Sequence, residues 1–246
     1  MFPTSLPPDL NYALMEIKQK IINYAIESEK ENREIRCIFF YVKYSKGIEE
    51  ICVKGEEGRV KAEPLYEELY NRITEYDKYR GKVSEIILEF HTRPTSTSSL
   101  KKLYGDLTED EIIAMKKIDS TFSPQDLAPT IFSYMSVKET LDVEIKYTSV
   151  AAYIAEENKV YFTYLDVRKL MKEAAGKIGV QEIRTVEDIR RFGTYMQNNF
   201  ANKAAEVMEK IVKAPKDEKD KYIRELEKIV LRLESEFTIG STSFSS

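Results

Sequence analysis

The sequence predicts an α/β protein whose first two thirds form one sheet-and-helix unit and whose last third is a helical extension. Three observations carry this. Up to Asp166, helical apolar spacing alternates with short β-branched and aromatic runs, whereas beyond it only helical periodicity remains. The third observation is size: 246 residues, 42% hydrophobic, suffice for one sizeable core and a small second one. The expected divisions are 1–166 for the α/β unit, 167–239 for the extension and 240–246 for a disordered tail.

After Pro7-Pro8, Asp9 caps a helix with Leu10, Leu14, Ile17, Ile21 and Ala25 on one stripe. Ile35 to Tyr44 reads as a buried strand, and Ile48 to Val53 pairs with it through a turn at Gly47. Arg59 to Ala62 offers a third, short strand. Pro64 near a helix start precedes Leu65, Leu69, Ile73 and Tyr76 on one side of a second helix, which ends before Gly81.

Val83 to Phe90 is the strand that the unit is organised around, and it runs into His91-Thr92-Arg93-Pro94. Thr95 to Ser99, all Ser and Thr, predicts a mobile loop. Thr108 with Glu111 forms a capping box for a helix over about 109–118. Ser123-Pro124-Gln125-Asp126 then starts another helix with Leu127, Ile131 and Tyr134 inward.

Val143 to Ile154 and Lys159 to Tyr164 are two strands joined at Glu156-Glu157-Asn158. In the extension, Val167 to Ala175 is followed by a segment capped by Thr185 with Asp188. Two final helices, striped by Phe200, Ala204, Val207, Ile211 and by Tyr222, Leu226, Ile229, Leu233, Phe237, should pack antiparallel across Ala214-Pro215-Lys216-Asp217.

Composition excludes some functions. With 38 basic against 42 acidic residues the net charge is −4, so no global field draws nucleic acid or an anionic membrane, although a local basic patch leaves nucleic acid open. No run approaches the roughly 18 apolar residues of a membrane span, and Met1-Phe2-Pro3-Thr4 has no signal-peptide character. Cys37 and Cys52 are too few for a disulfide scaffold and read as small packing residues in strands, which points to a reducing cytoplasm. Abundant Lys, Glu and Ile without Trp lean towards thermophile-like composition.

The layout from Glu34 to Asp126 resembles the JAB/MPN (JAMM) superfamily of zinc-dependent peptidases and isopeptidases, across about residues 10 to 165. There a Glu on an early strand precedes His-x-His-Pro after a later strand and then Ser-x-x-Asp. The matching residues are Glu34, His91-Thr92-Arg93-Pro94 and Ser123-Pro124-Gln125-Asp126. The resemblance implies a mixed sheet flanked by helices, with His91 and Asp126 as metal ligands, Glu34 as base and Ser123 as oxyanion helper. Glu31 is an alternative to Glu34.

Arg93 departs from the pattern, because a guanidinium has no lone pair for a metal. About thirty residues also separate the half-motifs, where the family has fewer than ten. The same residues carry plainer readings: Ser123 and Asp126 as a helix cap, and His91 as a hydrogen-bonded strand-end histidine. A further hypothesis seats the Arg93 cation where the metal would sit, paired with Asp126.

The expected function is therefore a catalytically degenerate JAB/MPN-like domain, with no cofactor, acting as a binding or assembly module. Its partner is another protein, or a second copy met through the C-terminal helices. The alternatives are a zinc-dependent peptidase or isopeptidase with an incomplete motif, and a nucleic-acid-associated factor.

Overall fold

A computed structural model describes residues 6–44, 47–57, 63–76, 79, 81–83 and 85–246. The chain order is α1 (Pro8–Glu31), β1 (Arg33–Tyr41), β2 (Ile48–Glu57), α2 (Glu63–Glu75), β3 (Glu85–Thr92), α3 (Thr97–Tyr104), α4 (Glu109–Asp119), α5 (Pro124–Leu141), β4 (Glu144–Ile154) and β5 (Lys159–Asp166). It continues with α6 (Val167–Ile178), α7 (Val186–Met196), α8 (Asn202–Lys213), α9 (Lys219–Glu236) and β6 (Gly240–Ser245). The expected strand over Arg59–Ala62 lies outside the described residues.

The six strands form one mixed sheet in the order β2-β1-β3-β4-β5-β6, in which only β3 and β4 run parallel. Helix α1 covers one face, packing Leu10, Ile17 and Ile21 on Phe39, Phe90 and Phe162. Its end is pinned by buried polar bonds: the Thr92 hydroxyl donates to Ser28 Oγ over 2.7 Å, while Ile35 N–H donates to Thr92 Oγ1 over 2.8 Å. The other face carries α2, α5, α6 and α7.

Which residues face which side is decided by a bulge. Phe39 pairs with Leu88 but Phe40 pairs with Ile86, so β3 holds one extra residue at Ile87. Before it, Ile86 faces α5; after it, Leu88 and Phe90 face α1. Glu89, His91 and Arg93 are thereby turned towards α5.

Helices α6 to α9 do not stand apart. Phe192, Met196, Phe200, Leu233 and Phe237 belong to the same core as Ile38, Phe40 and Ile131. Helix α7 passes through a π-turn, Gln197–Ala201, into α8, and α8 pairs with α9 through Val207, Ile211, Ile223 and Leu226 over α3 and α4. The antiparallel sense follows from Arg232 stacking over the Phe200 ring at 5.0 Å.

Three expectations are corrected. Thr95 to Ser99 is not a loop throughout: Ser96 caps α3 by accepting from Ser99 N–H, and Leu100 and Tyr104, one turn apart, bury that helix against α8. The tail is not disordered, since residues 240–245 add an edge strand to β5 and Phe244 packs on Phe162 at 5.6 Å. Cys37 and Cys52 form a disulfide, because the β1–β2 register sets them directly opposite with Cα atoms 4.1 Å apart. Two free thiols were the ground for expecting a reducing compartment, and that ground does not hold.

Phe244→Ala should cost about 3 kcal/mol in denaturant unfolding, the usual loss for a buried ring, and a loss below 0.5 kcal/mol would show that β6 is not docked. In denaturant without reductant neither cysteine should react with an alkylating reagent. Reduction should then lower stability by about 2–4 kcal/mol, and alkylation of both cysteines before reduction would show that they are not bonded.

Candidate functional site

Four of the residues singled out in the sequence line one cleft of about 190 Å³: Glu34, His91, Arg93 and Asp126, together with Arg36, Pro129, Thr130 and Thr148. Strand alternation puts Glu34 and Arg36 on the face of β1 shared with Ile38. The β1–β3 register sets Arg36 opposite His91, and the parallel β3–β4 register sets Glu89 beside Thr148. Helix α5 completes the wall from its first turns.

Ser123, predicted alongside them, is not on that wall. It is the N-cap of α5, and its backbone N–H donates to Asp126 Oδ2. That bond supports the cap reading of Ser123-Pro124-Gln125-Asp126, with Pro124 in the first turn, where its missing N–H costs nothing.

The same Asp126 Oδ2 pairs with Arg93 Nη2. Arg93 Nη1 in turn donates to the carbonyl oxygens of Thr121 at 2.8 Å and Asp119 at 3.4 Å. One guanidinium therefore joins the end of β3, the α4–α5 connection and the first turn of α5. Burial works to raise the Asp126 carboxyl, but Arg93, His91 and the Ser123 bonds outweigh it and hold the group below the ordinary aspartate value. Asp119 nearby is raised to about 6 by burial, against the pull of Arg93.

His91 is held well below its ordinary value by burial first and by the Arg93 charge second, so its imidazole is neutral. Beside it lies an ion pair that sequence reasoning missed. Arg36 Nε donates to Glu89 Oε1 over 2.9 Å and Nη2 donates to the same oxygen, and Glu89 is 1% exposed. Burial works against the Glu89 charge, and Arg36 and Tyr66 more than offset it, so this carboxyl too is lowered. An Arg and a Glu two strand positions from the candidates Glu34 and His91 were the available signal; their facing was not.

No family model, no curated protein and no solved structure matches this chain.

Zinc does not fit the donor set here. Among the described residues no three His, Cys, Asp or Glu side chains converge as ligands. The cleft offers one imidazole, and the Asp126 oxygen that a metal would need already accepts from Arg93 and Ser123. What the arrangement offers instead is a neutral imidazole, two guanidiniums and carboxylates that are mutually compensated.

The pH response of the only histidine is a direct check. Its folded value lies below its unfolded one, so the unfolded chain takes up the proton first and stability falls as pH drops below about 6.5. Asp119, raised to about 6, and Glu234, raised to about 7, act in the opposite sense over this range. The stability of the wild type minus that of His91→Gln should therefore shrink on acidification by up to about 1.4 kcal/mol per pH unit. Parallel stability curves would mean that the imidazole titrates normally.

Proposed function

We propose that this chain is a JAB/MPN-like domain that has lost its zinc site and works as a binding or assembly module. The observation that carries the reading is the Arg93–Asp126 pair, in the cleft that His91 and Glu34 also line. Arg93 stands at the position of the family's second histidine, and its charge takes up the aspartate that would otherwise be free to ligate. Support for the kinship comes from the order of elements: helix, hairpin, helix, strand, motif, helix, strands, as in α1, β1–β2, α2, β3, α5 and β4–β5.

Chemistry at this cleft lacks its starting point. Hydrolysis would need an activated water or nucleophile, and among the described residues neither a metal ligand set nor a hydroxyl hydrogen-bonded to His91 supplies one.

As a module, the chain offers its outer helices. Met208 and Val212, one turn apart on α8, remain 37% and 48% exposed although their helix is otherwise packed on α9. Apolar side chains left out on one stripe favour a protein partner or a second copy there.

Purified protein should carry no stoichiometric zinc by metal analysis and should cleave no peptide or isopeptide substrate. Arg93→His, which restores His-x-His-Pro beside Asp126, should gain saturable zinc binding by calorimetry. One tightly held zinc per wild-type chain that is lost in His91→Ala would overturn the reading.

A further inference from the structure

A second and larger cavity, about 510 Å³, opens between α2 and α5 and meets the first cleft at Arg36 and Pro129, which line both. Its walls are mostly apolar and aromatic: Tyr66, Tyr70, Phe132, Val137 and Leu141. Tyr70 and Phe132 stand 46% and 50% exposed at its sides, a cost that burying a ligand between them would relieve. The volume is that of a site for a small organic molecule, and an apolar lining with few convergent polar groups is how such sites are built.

The polar group at the junction is Arg36, whose side chain keeps 21% of its surface. It spends Nε and Nη2 on Glu89, and among the described residues no acceptor engages Nη1. The Tyr66 hydroxyl beside it is buried among Glu89, Arg36 and Ser133. The pocket therefore has a spare donor, Arg36 Nη1, at its deep end, while the acceptors that line it are the Glu63 carboxylate and the hydroxyls of Ser133, Ser136 and Thr140.

It has no spare positive charge. Glu89 neutralises Arg36, Asp126 neutralises Arg93, and Glu63 stands at the rim. A carboxylate ligand would compete with Glu89 for one guanidinium and lie near further acids, and an ammonium ligand would meet the Arg36 charge at the deep end. A neutral acceptor meets neither penalty.

We infer that the α2–α5 pocket binds a neutral amphipathic small molecule, its apolar body between Phe132 and Tyr70 and a carbonyl oxygen accepting from Arg36 Nη1. This site is separate from the question of zinc and stands whether or not the cleft beside it ever held metal.

Three probes with one phenylalkyl body test it on the wild-type protein: benzylacetone, phenylbutyrate and phenylbutylamine, titrated by calorimetry and by amide-shift NMR. Benzylacetone should bind saturably with a Kd near 1 mM, the strength open to a ligand of about a dozen heavy atoms. It should bind at least about tenfold more tightly than the other two, with shifts confined to α2, α5 and β1. Ser136→Phe, which fills the pocket from the face of α5, should abolish binding while circular dichroism stays unchanged. Equal affinity for the three probes, tighter binding of the anion, no saturation by any probe, or benzylacetone binding undiminished in a folded Ser136→Phe protein would each overturn the proposal.

Discussion

The extra residue at Ile87 is the constraint on which the site depends. Strict alternation along β3 would place Ile86, Leu88, Phe90 and Thr92 on one side and leave Glu89, His91 and Arg93 with Ile87 on the other. The bulge reverses the facing of everything after it. Leu88 and Phe90 then reach the α1 core and Thr92 reaches Ser28, while Glu89, His91 and Arg93 look at α5. One inserted residue thus aims three chemical groups at the helix that carries Asp126, and the Thr92–Ser28–Ile35 bonds hold the strand end in that orientation.

Two guanidiniums and their carboxylates are costly groups to keep so close. Withdrawing charges from water costs several kcal/mol per ion, and apolar replacements for a buried pair are often neutral or stabilising, so stability alone does not call for Arg36–Glu89. Removing a single partner is different: it strands a buried charge and costs about 3–5 kcal/mol. Each pair is therefore locked once present, and it lowers the carboxyl it serves in spite of burial. The imidazole between them has the opposite fate, because burial and two neighbouring cations leave it neutral.

Legibility in the sequence followed the range of the interaction. The capping boxes at Thr108 with Glu111 and Thr185 with Asp188 are contacts three residues apart, and they stand where the sequence places them. The meeting of His91, Arg93 and Asp126 was legible because each half-motif sits at an element end: a strand end and a helix start. Strand β6 was not, since Gly240-Ser241-Thr242-Ser243 has little apolarity of its own and gains its order from the β5 ladder and one ring, Phe244. The Cys37–Cys52 bond and the Arg36–Glu89 pair both depend on register between strands, and register was not written in either strand alone. Helix α3 was hidden by its Ser and Thr residues, which favour loops until one of them, Ser96, is read as a cap.

The long segment between the half-motifs explains why Arg93 is where it is. Helices α3 and α4 fill it, and both pack under α8 and α9; Lys219 of α9 donates to the Tyr104 carbonyl at the end of α3. Lys116 of α4, 2% exposed, pairs with Glu156 at 3.0 Å and with Glu29 of α1 at 3.6 Å, so α4 is tied to the β4–β5 turn as well. The segment then has to return to the sheet at Asp119 to Thr121, and the bonds from Arg93 Nη1 receive it there. A histidine at position 93 could bind a metal but could not donate to those two carbonyls and to Asp126 together, because only the guanidinium fork has donors enough. Arg93 is thus the residue that fastens the helical layer to the sheet, and the cleft and the C-terminal helices are two ends of one connected structure.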